Sequence, residues 1–157
     1  MNHIFRPYLR KLVLVFFDDI LIYSKNLVDH AKHLSIVFEL LRLHKLFVKE
    51  SKYAFAQKSI GYLDHIISSE GVSVDNDKIQ CISYWPIPTS VKELRGFLGL
   101  AGYYRKFVKD FGKISAPLTQ LLKKDAFLWN DKATTAFKLL QKALTSTPVL
   151  ILPDFSK

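Results

Sequence analysis

Two apolar runs rich in β-branched and aromatic residues close on a pair of adjacent carboxylates in KLVLVFFDDILIYSK, residues 11–25. Such side chains favour pleated, half-buried strands, and charge between two such runs marks a turn. The segment therefore reads as a buried β-hairpin with Asp18 and Asp19 at its turn. Two negative charges a few ångströms apart repel each other unless a cation intervenes. The only basic residues nearby, Lys11 and Lys25, stand at the far ends of the strands. Either the turn simply faces water, or the pair holds a divalent metal, for which magnesium is the hard cation suited to carboxylate oxygens. Neighbours on a regular strand point to opposite faces, whereas at a tight turn both carboxylates can reach one shared site.

The chain has 157 residues, 49% of them hydrophobic, which suffices for a sizeable core and argues against disorder. Its 23 Lys and Arg outnumber 14 Asp and Glu for a net charge of +9, a balance that favours a polyanionic partner. Cys81 is the single cysteine. That excludes an internal disulfide and a cysteine-rich zinc site and is compatible with a reducing compartment; the thiol reads as structural. Arg6, Arg10 and Lys11 before an apolar run mimic a signal peptide, but Asp18 and Asp19 cut the run short. No stretch approaches the roughly 20 apolar residues of a membrane span, so the expectation is a soluble chain with no membrane partner.

Further along, Leu34, Val37, Phe38 and Leu41 keep a helical period in a segment from Asp29 to Leu46, with Asp29 as the expected N-cap. FVKESKYAFAQ alternates like a strand, and SIGYLDHIISSEGVSVD reads as two short strands joined at Ser68-Ser69-Glu70-Gly71. Asp75 or Asn76 caps a short helix ending at Trp85, and Pro86-Ile87-Pro88 forces an extended connection and a subdomain boundary. Thr89 or Ser90 caps the next helix, with Glu93 at capping-box spacing from Ser90 and Leu94, Phe97, Leu98, Ala101, Tyr104 and Val108 on its apolar face. Ala116-Pro117 opens another helix, Phe127-Leu128-Trp129 reads as extended, and Asn130 or Asp131 caps a helix to Leu144. Val149 to Leu152 reads as a final strand.

Gly96, Gly99 and Gly102 recur every three residues in the capped helix, although an internal glycine costs about 1 kcal/mol against alanine. They fit either close helix packing or a smooth face along a nucleic-acid groove. Arg95, Tyr103, Tyr104, Arg105, Lys106 and Lys109 surround that face; they are either solvated or placed to contact phosphates and sugars. Lys49 and Lys52 read first as a solvated edge. His30 and His33 have a spacing seen in helical metal sites but lack an evident third ligand, and helix packing accounts for them.

The segment VFFDDILIYS resembles the aromatic-x-Asp-Asp motif of reverse transcriptases in its Ty3/gypsy-type retrotransposon form. The resemblance continues in order through SKYAF, YLDHIIS with GVSVD, WPIPTSVKELRGFLGLAGYYRKFV, ISAPLTQLLKK, FLWND and VLILPDF, and so spans essentially the whole chain. It implies an α+β fold. Residues 1–85 would form a partial polymerase palm of antiparallel hairpins plus a helix, 86–124 a helical thumb, and 125–157 a connection leading to a truncated ribonuclease H-like domain. By the same resemblance Asp18 and Asp19 are catalytic ligands of magnesium, Phe16 packs under the primer end, and Lys52 lies beside the incoming nucleotide. YLDHIIS with His65 would be the primer grip. Asp64 stands where the family usually has glycine and Tyr53 where it usually has cysteine. An aspartate there would suit positive φ poorly and would repel phosphate, which points to decay or a divergent lineage.

The resemblance implies an RNA-directed DNA polymerase whose partners are an RNA/DNA primer-template duplex and a deoxynucleoside triphosphate. The family's third aspartate belongs to an earlier strand, and the fingers precede the motif. This chain is therefore expected to bind metal weakly or not at all, to be inactive alone, and to self-associate through exposed palm surface. No nuclease activity is expected. The alternatives are a non-catalytic nucleic-acid-binding module and a retroelement remnant without a biochemical role.

Overall fold

The computed structural model describes residues 1–146 and residue 150. They fall into two compact units, Met1–Tyr62 and the residues from Leu63 onward. The first holds α1 (Asn2–Phe5), β1 (Val13–Phe16), β2 (Asp19–Ile22), α2 (Leu27–Leu43) and β3 (Ser59–Tyr62). The second holds β4 (His65–Ser68), β5 (Gly71–Val74), α3 (Asn76–Ser83), α4 (Val91–Tyr103), α5 (Phe111–Gln120) and α6 (Asp131–Thr145). Single 3-10 turns occupy Glu50–Lys52 and Arg105–Phe107. This mixture of helices and antiparallel hairpins is the α+β architecture expected.

In the first unit β1 and β2 pair antiparallel, with Val13 opposite Ile22 and Phe16 opposite Asp19. The core gathers Phe5, Leu12 and Val13 with Val37 and Leu41 of α2, which lie four apart on one helical face. α2 begins earlier than expected. Asn26, not Asp29, is the N-cap: its side-chain oxygen accepts the Asp29 N–H at 2.8 Å while its amide donates to the Asp29 carboxylate at 2.7 Å. Asp29 thus sits in the first turn, where a negative charge suits the helix dipole. The strand expected in FVKESKYAFAQ does not form. The Tyr53 and Phe55 rings lie 5.0 Å apart, tilted to each other, and both meet Phe38 of α2 at 6.2 Å, so the alternating rings find a helix face rather than a sheet partner.

SIGYLDHIISSEGVSVD holds three strands rather than two, because Leu63 and Asp64 take positive φ of 51° and 57° and break the first run. Leu63 is itself apolar, so the hydrophobic pattern runs through the break unmarked. β4 and β5 pair antiparallel from His65 opposite Val74 to Ser68 opposite Gly71, and Ser68 Oγ accepts the Glu70 N–H in the turn. Asp75 caps α3 through the Asp77 N–H at 2.8 Å. That helix stops at Ser83, two residues short of Trp85. Gln141 of α6 covers its end, donating to the carbonyls of Ile82 at 2.8 Å and Trp85 at 3.1 Å. Cys81 is exposed on α3, so its thiol is not a packing group as expected.

Ser90 caps α4 by accepting the Glu93 N–H at 3.2 Å. The Glu93 carboxylate accepts from the N–H and hydroxyl of Thr89 at 2.7 and 3.0 Å, one residue before the cap, and these bonds hold it below the usual carboxylate range. α5 starts at Phe111 rather than Ala116, with Pro117 inside it. Interior proline costs about 3 kcal/mol, yet Phe111, Ile114, Leu118 and Leu121 lie at helical spacing and join the core, which carries the helix through the proline. Asn130 caps α6 through the Ala133 N–H. Ala133, Ala136, Phe137, Leu140 and Leu144 form its buried stripe, with Phe137 4.5 Å from Phe97 of α4. The residues 127–129 are irregular, not a strand. The strand expected at 149–152 falls outside the described residues except for Leu150, which bridges Val72 antiparallel through two 2.8 Å bonds. Among the described residues no helix is long and apolar enough to cross a membrane.

A candidate metal and nucleic-acid site

The register of β1 and β2 leaves Phe17 and Asp18 as a two-residue turn between Phe16 and Asp19. Phe17 has φ of 51°, and a positive φ at the first turn position is the geometry for which glycine is preferred. A bulky residue there stores on the order of 1–2 kcal/mol of strain. The tip stands in solvent: Phe17 is 79% and Phe16 50% exposed, the two rings 4.8 Å apart edge to face. Asp18 and Asp19 are both exposed, and among the described residues neither is in an ion pair. The phenol of Tyr62 is pushed up, first by burial and then by the negative charge of Asp19.

These carboxylates offer the hard oxygen donors that a magnesium ion takes. Among the described residues no group of three His, Cys, Asp or Glu side chains comes together. The donors at the tip fit a metal in kind, and a full ligand set would need donors beyond these two. Lys52 lies exposed in the 3-10 turn Glu50–Lys52 of the same unit. His30 and His33 turn their Nδ1 atoms to Ser24 Oγ, at 3.2 and 2.7 Å, a polar cluster that accounts for both without a metal.

The second unit gathers the remaining expected residues around α4. Leu94, Phe97, Ala101 and Tyr104 are buried, while Arg95, Gly96, Gly99 and Tyr103 recur on the exposed face. Lys92 belongs to that face as well and was missed, although it stands three residues before Arg95. Arg105, Lys106 and Lys109 follow, all exposed. A Cβ built at Gly99 or Gly102 meets nothing within 4 Å, and one at Gly96 touches only the Trp85 indole at 3.6 Å, an ordinary contact. Close packing among the described residues therefore does not require Gly99 or Gly102.

Tyr104 departs from expectation. It is fully buried and donates its hydroxyl to the Asp64 carbonyl at 2.8 Å, so it is a core residue rather than a contact for a ligand. Its phenol is raised well above the usual range by burial, then by the charges of Asp64, Tyr103 and Asp75. Tyr103 donates to the Leu63 carbonyl at 2.8 Å. His65 is half-buried, with Nδ1 2.6 Å from the Leu63 carbonyl and its ring stacked on Phe107 at 5.7 Å. Asp64 does take positive φ, but aspartate tolerates that region better than most residues. Its carboxylate is 3.3 Å from Lys78, which offsets the charge. The objection to aspartate here is thus largely answered by a lysine on α3 that sequence reading did not connect to it.

The reverse transcriptase (RNA-dependent DNA polymerase) family matches residues 1–67. An uncharacterized mitochondrial protein of Arabidopsis thaliana is 51% identical over 124 residues, covering 78% of this chain and 78% of its own. The retrovirus-related Pol polyprotein from transposon 297 of Drosophila melanogaster is 40% identical over 159 residues, covering 100% of this chain and 15% of the polyprotein. That from transposon gypsy of the same organism is 34% identical, covering 100% of this chain and 16% of the polyprotein. The chain thus spans about a sixth of these polyproteins. The foamy viral protease-reverse transcriptase dRH in complex with double-stranded DNA superposes with a TM-score of 0.88 at 24% identity, over 98% of this chain and 27% of that one. A second structure of the foamy viral protease-reverse transcriptase with double-stranded DNA gives 0.81 at 25% identity, over 91% and 31%.

Strain at the tip is testable without any ligand. Phe17→Gly should raise stability by up to about 1 kcal/mol, the relief of positive φ less the extra chain entropy of glycine. Phe17→Ala keeps the backbone penalty and should bring no such gain. Urea denaturation of the three proteins compares them, and equal midpoints for Gly and Ala would show that the turn is unstrained.

Proposed function

The chain belongs to the reverse transcriptase family, among the gypsy-type long-terminal-repeat retrotransposons, and on that footing we propose that it is the segment of an RNA-directed DNA polymerase that carries two metal-binding aspartates and a duplex-holding helix. In this reading residues 1–85 are palm with a grip-like hairpin, 86–124 thumb, and 125–157 connection. The observation that carries it is the hairpin tip, where Asp18 in the two-residue turn and Asp19 at the start of β2 both stand exposed.

Asp18 and Asp19 would hold magnesium in the whole polymerase, with further ligands from outside this cluster. Bound there, the metal ions supply the Lewis acidity that activates a primer hydroxyl and stabilises the leaving pyrophosphate. Phe16 offers an exposed ring beside the carboxylates for the primer end, and Lys52 offers an exposed cation for the triphosphate of an incoming nucleotide. On α4 the open face of Gly96, Gly99 and Gly102 lets a duplex approach, flanked by Arg95, Lys92, Arg105, Lys106 and Lys109 for its phosphates. Such contacts position a duplex without reading its sequence, which suits an enzyme that copies any template. The foamy viral structures bound to double-stranded DNA support the choice of duplex as partner. His65 acts in this scheme through the hairpin it begins, since its ring is enclosed by aromatic neighbours.

Primer extension with magnesium tests the catalytic half. The 157-residue chain, with part of the ligand set, should extend no primer, whereas a polymerase carrying the same segment should do so and lose the activity on Asp18→Asn. Synthesis by the 157-residue chain that survives Asp18→Asn would refute the assignment. Gly99→Ala tests the duplex face: with open space for the methyl, it should stabilise the chain by about 1 kcal/mol yet weaken duplex binding several-fold. A gain in stability with binding unchanged would return the glycines to a neutral surface. Exposed Phe16, Phe17 and Leu43, and Phe47 at 96% exposure, support self-association through the first unit. Sedimentation of the isolated chain should then show larger species rising with concentration, and a monomer throughout would rule this out.

A further inference from the structure

The Leu63-Asp64 turn leading into β4 is held by residues 40 positions away. Tyr103 donates its hydroxyl to the Leu63 carbonyl and Tyr104 donates to the Asp64 carbonyl, each at 2.8 Å. Neighbours on a continuing α-helix diverge by about 100°, so two adjacent side chains do not ordinarily address two consecutive carbonyls. They do so here because α4 ends between them. Tyr104 has φ of −93° and ψ of 10°, and the chain passes into the 3-10 turn Arg105–Phe107. His65 adds a third link: Nδ1 lies 2.6 Å from the Leu63 carbonyl and so carries the proton there. The imidazole lies 5.3 Å from the Tyr103 ring and 5.5 Å from that of Tyr104. Both turn residues have positive φ, a conformation that non-glycine residues keep only when their surroundings hold them.

We propose that Tyr103 and Tyr104 are positioning residues that clamp this turn to the end of α4, so that the β4–β5 hairpin is aligned with the basic helix when a primer-template duplex is held. The inference rests on the duplex reading above and deepens it. These phenols act on the protein's own carbonyls, and alignment of the primer end comes from that clamp rather than from tyrosine-to-phosphate contacts.

Tyr103→Phe is the discriminating variant, because Tyr103 is 49% exposed and the change removes one hydroxyl while keeping the ring against His65. Two quantities are read on the 157-residue chain: hydrogen exchange at the amides of residues 63–66, and the ratio of affinities for a duplex with a recessed 3′ end and a blunt duplex of equal length. Exchange at the turn should rise about fivefold, the effect of losing one ordinary hydrogen bond. Preference for the recessed end should fall by a similar factor, with blunt-duplex affinity unchanged. Lys106→Ala gives the contrast, weakening both duplexes alike and lowering the salt dependence of binding. Unchanged exchange in Tyr103→Phe overturns the clamp. Faster exchange with an unchanged ratio, or a wild type without preference for the recessed end, overturns the positioning role. A wild type that binds neither duplex overturns the duplex reading instead, and exchange alone then decides the clamp.

Discussion

A buried phenol must give its proton to a protein acceptor, because a hydroxyl left unpaired away from water costs about 1–3 kcal/mol. Tyr104 meets that requirement on the Asp64 carbonyl, and much of the second unit is arranged around it. For the ring to reach that oxygen, α4 must place Leu94, Phe97 and Ala101 on the same buried side. Phe97 then meets Phe137, which sets α6 against α4, and the stripe of α6 completes the cluster from Val74 to Leu144. No buried side-chain nitrogen or oxygen among the described residues lacks a partner. The apolar packing of α4 and the hydroxyl of Tyr104 are satisfied by the same placement of one helix.

Sequence reading succeeded where a single local rule decided the outcome. The double-aspartate hairpin was legible because alternating apolar residues stop at two charges, and α4 because Ser90, Glu93 and a helical stripe agree. It failed where a neighbour distant in sequence decided. Tyr53 and Phe55 alternate like a strand, but Phe38 draws them onto α2. Pro117 looked like a helix start, but the spacing from Phe111 to Leu121 packs into the core and overrides it. The period of α4 marks Tyr104 as buried and says nothing of where its hydroxyl goes. The expected site residues show the same limit: Asp18 and Asp19 stand out by their neighbours in the chain, whereas the Asp64–Lys78 pair has no local signature.

At two positions the residue present works against its own element. Gly99 weakens its helix where nothing in the described chain needs the space, and Phe17 strains a turn where glycine would sit easily. Residues that work against the stability of their own element mark places where something outside the element sets the requirement. Asp64 differs, since its backbone, carbonyl and carboxylate are each accommodated, by αL tolerance, Tyr104 and Lys78 in turn.

Gln141 closes the end of α3 from a position 59 residues beyond Ile82. A growing chain emerges at about 5–20 residues per second, so the carbonyls at that helix end wait several seconds for their donor during synthesis. Until α6 arrives, α3 and α4 lack the surface they pack on, and the nascent segment shows its apolar stripes to the cell. The arrival of α6 therefore shortens the time for which these stripes stay open. A ribosome that pauses ahead of it would lengthen the hazard without changing a single native contact.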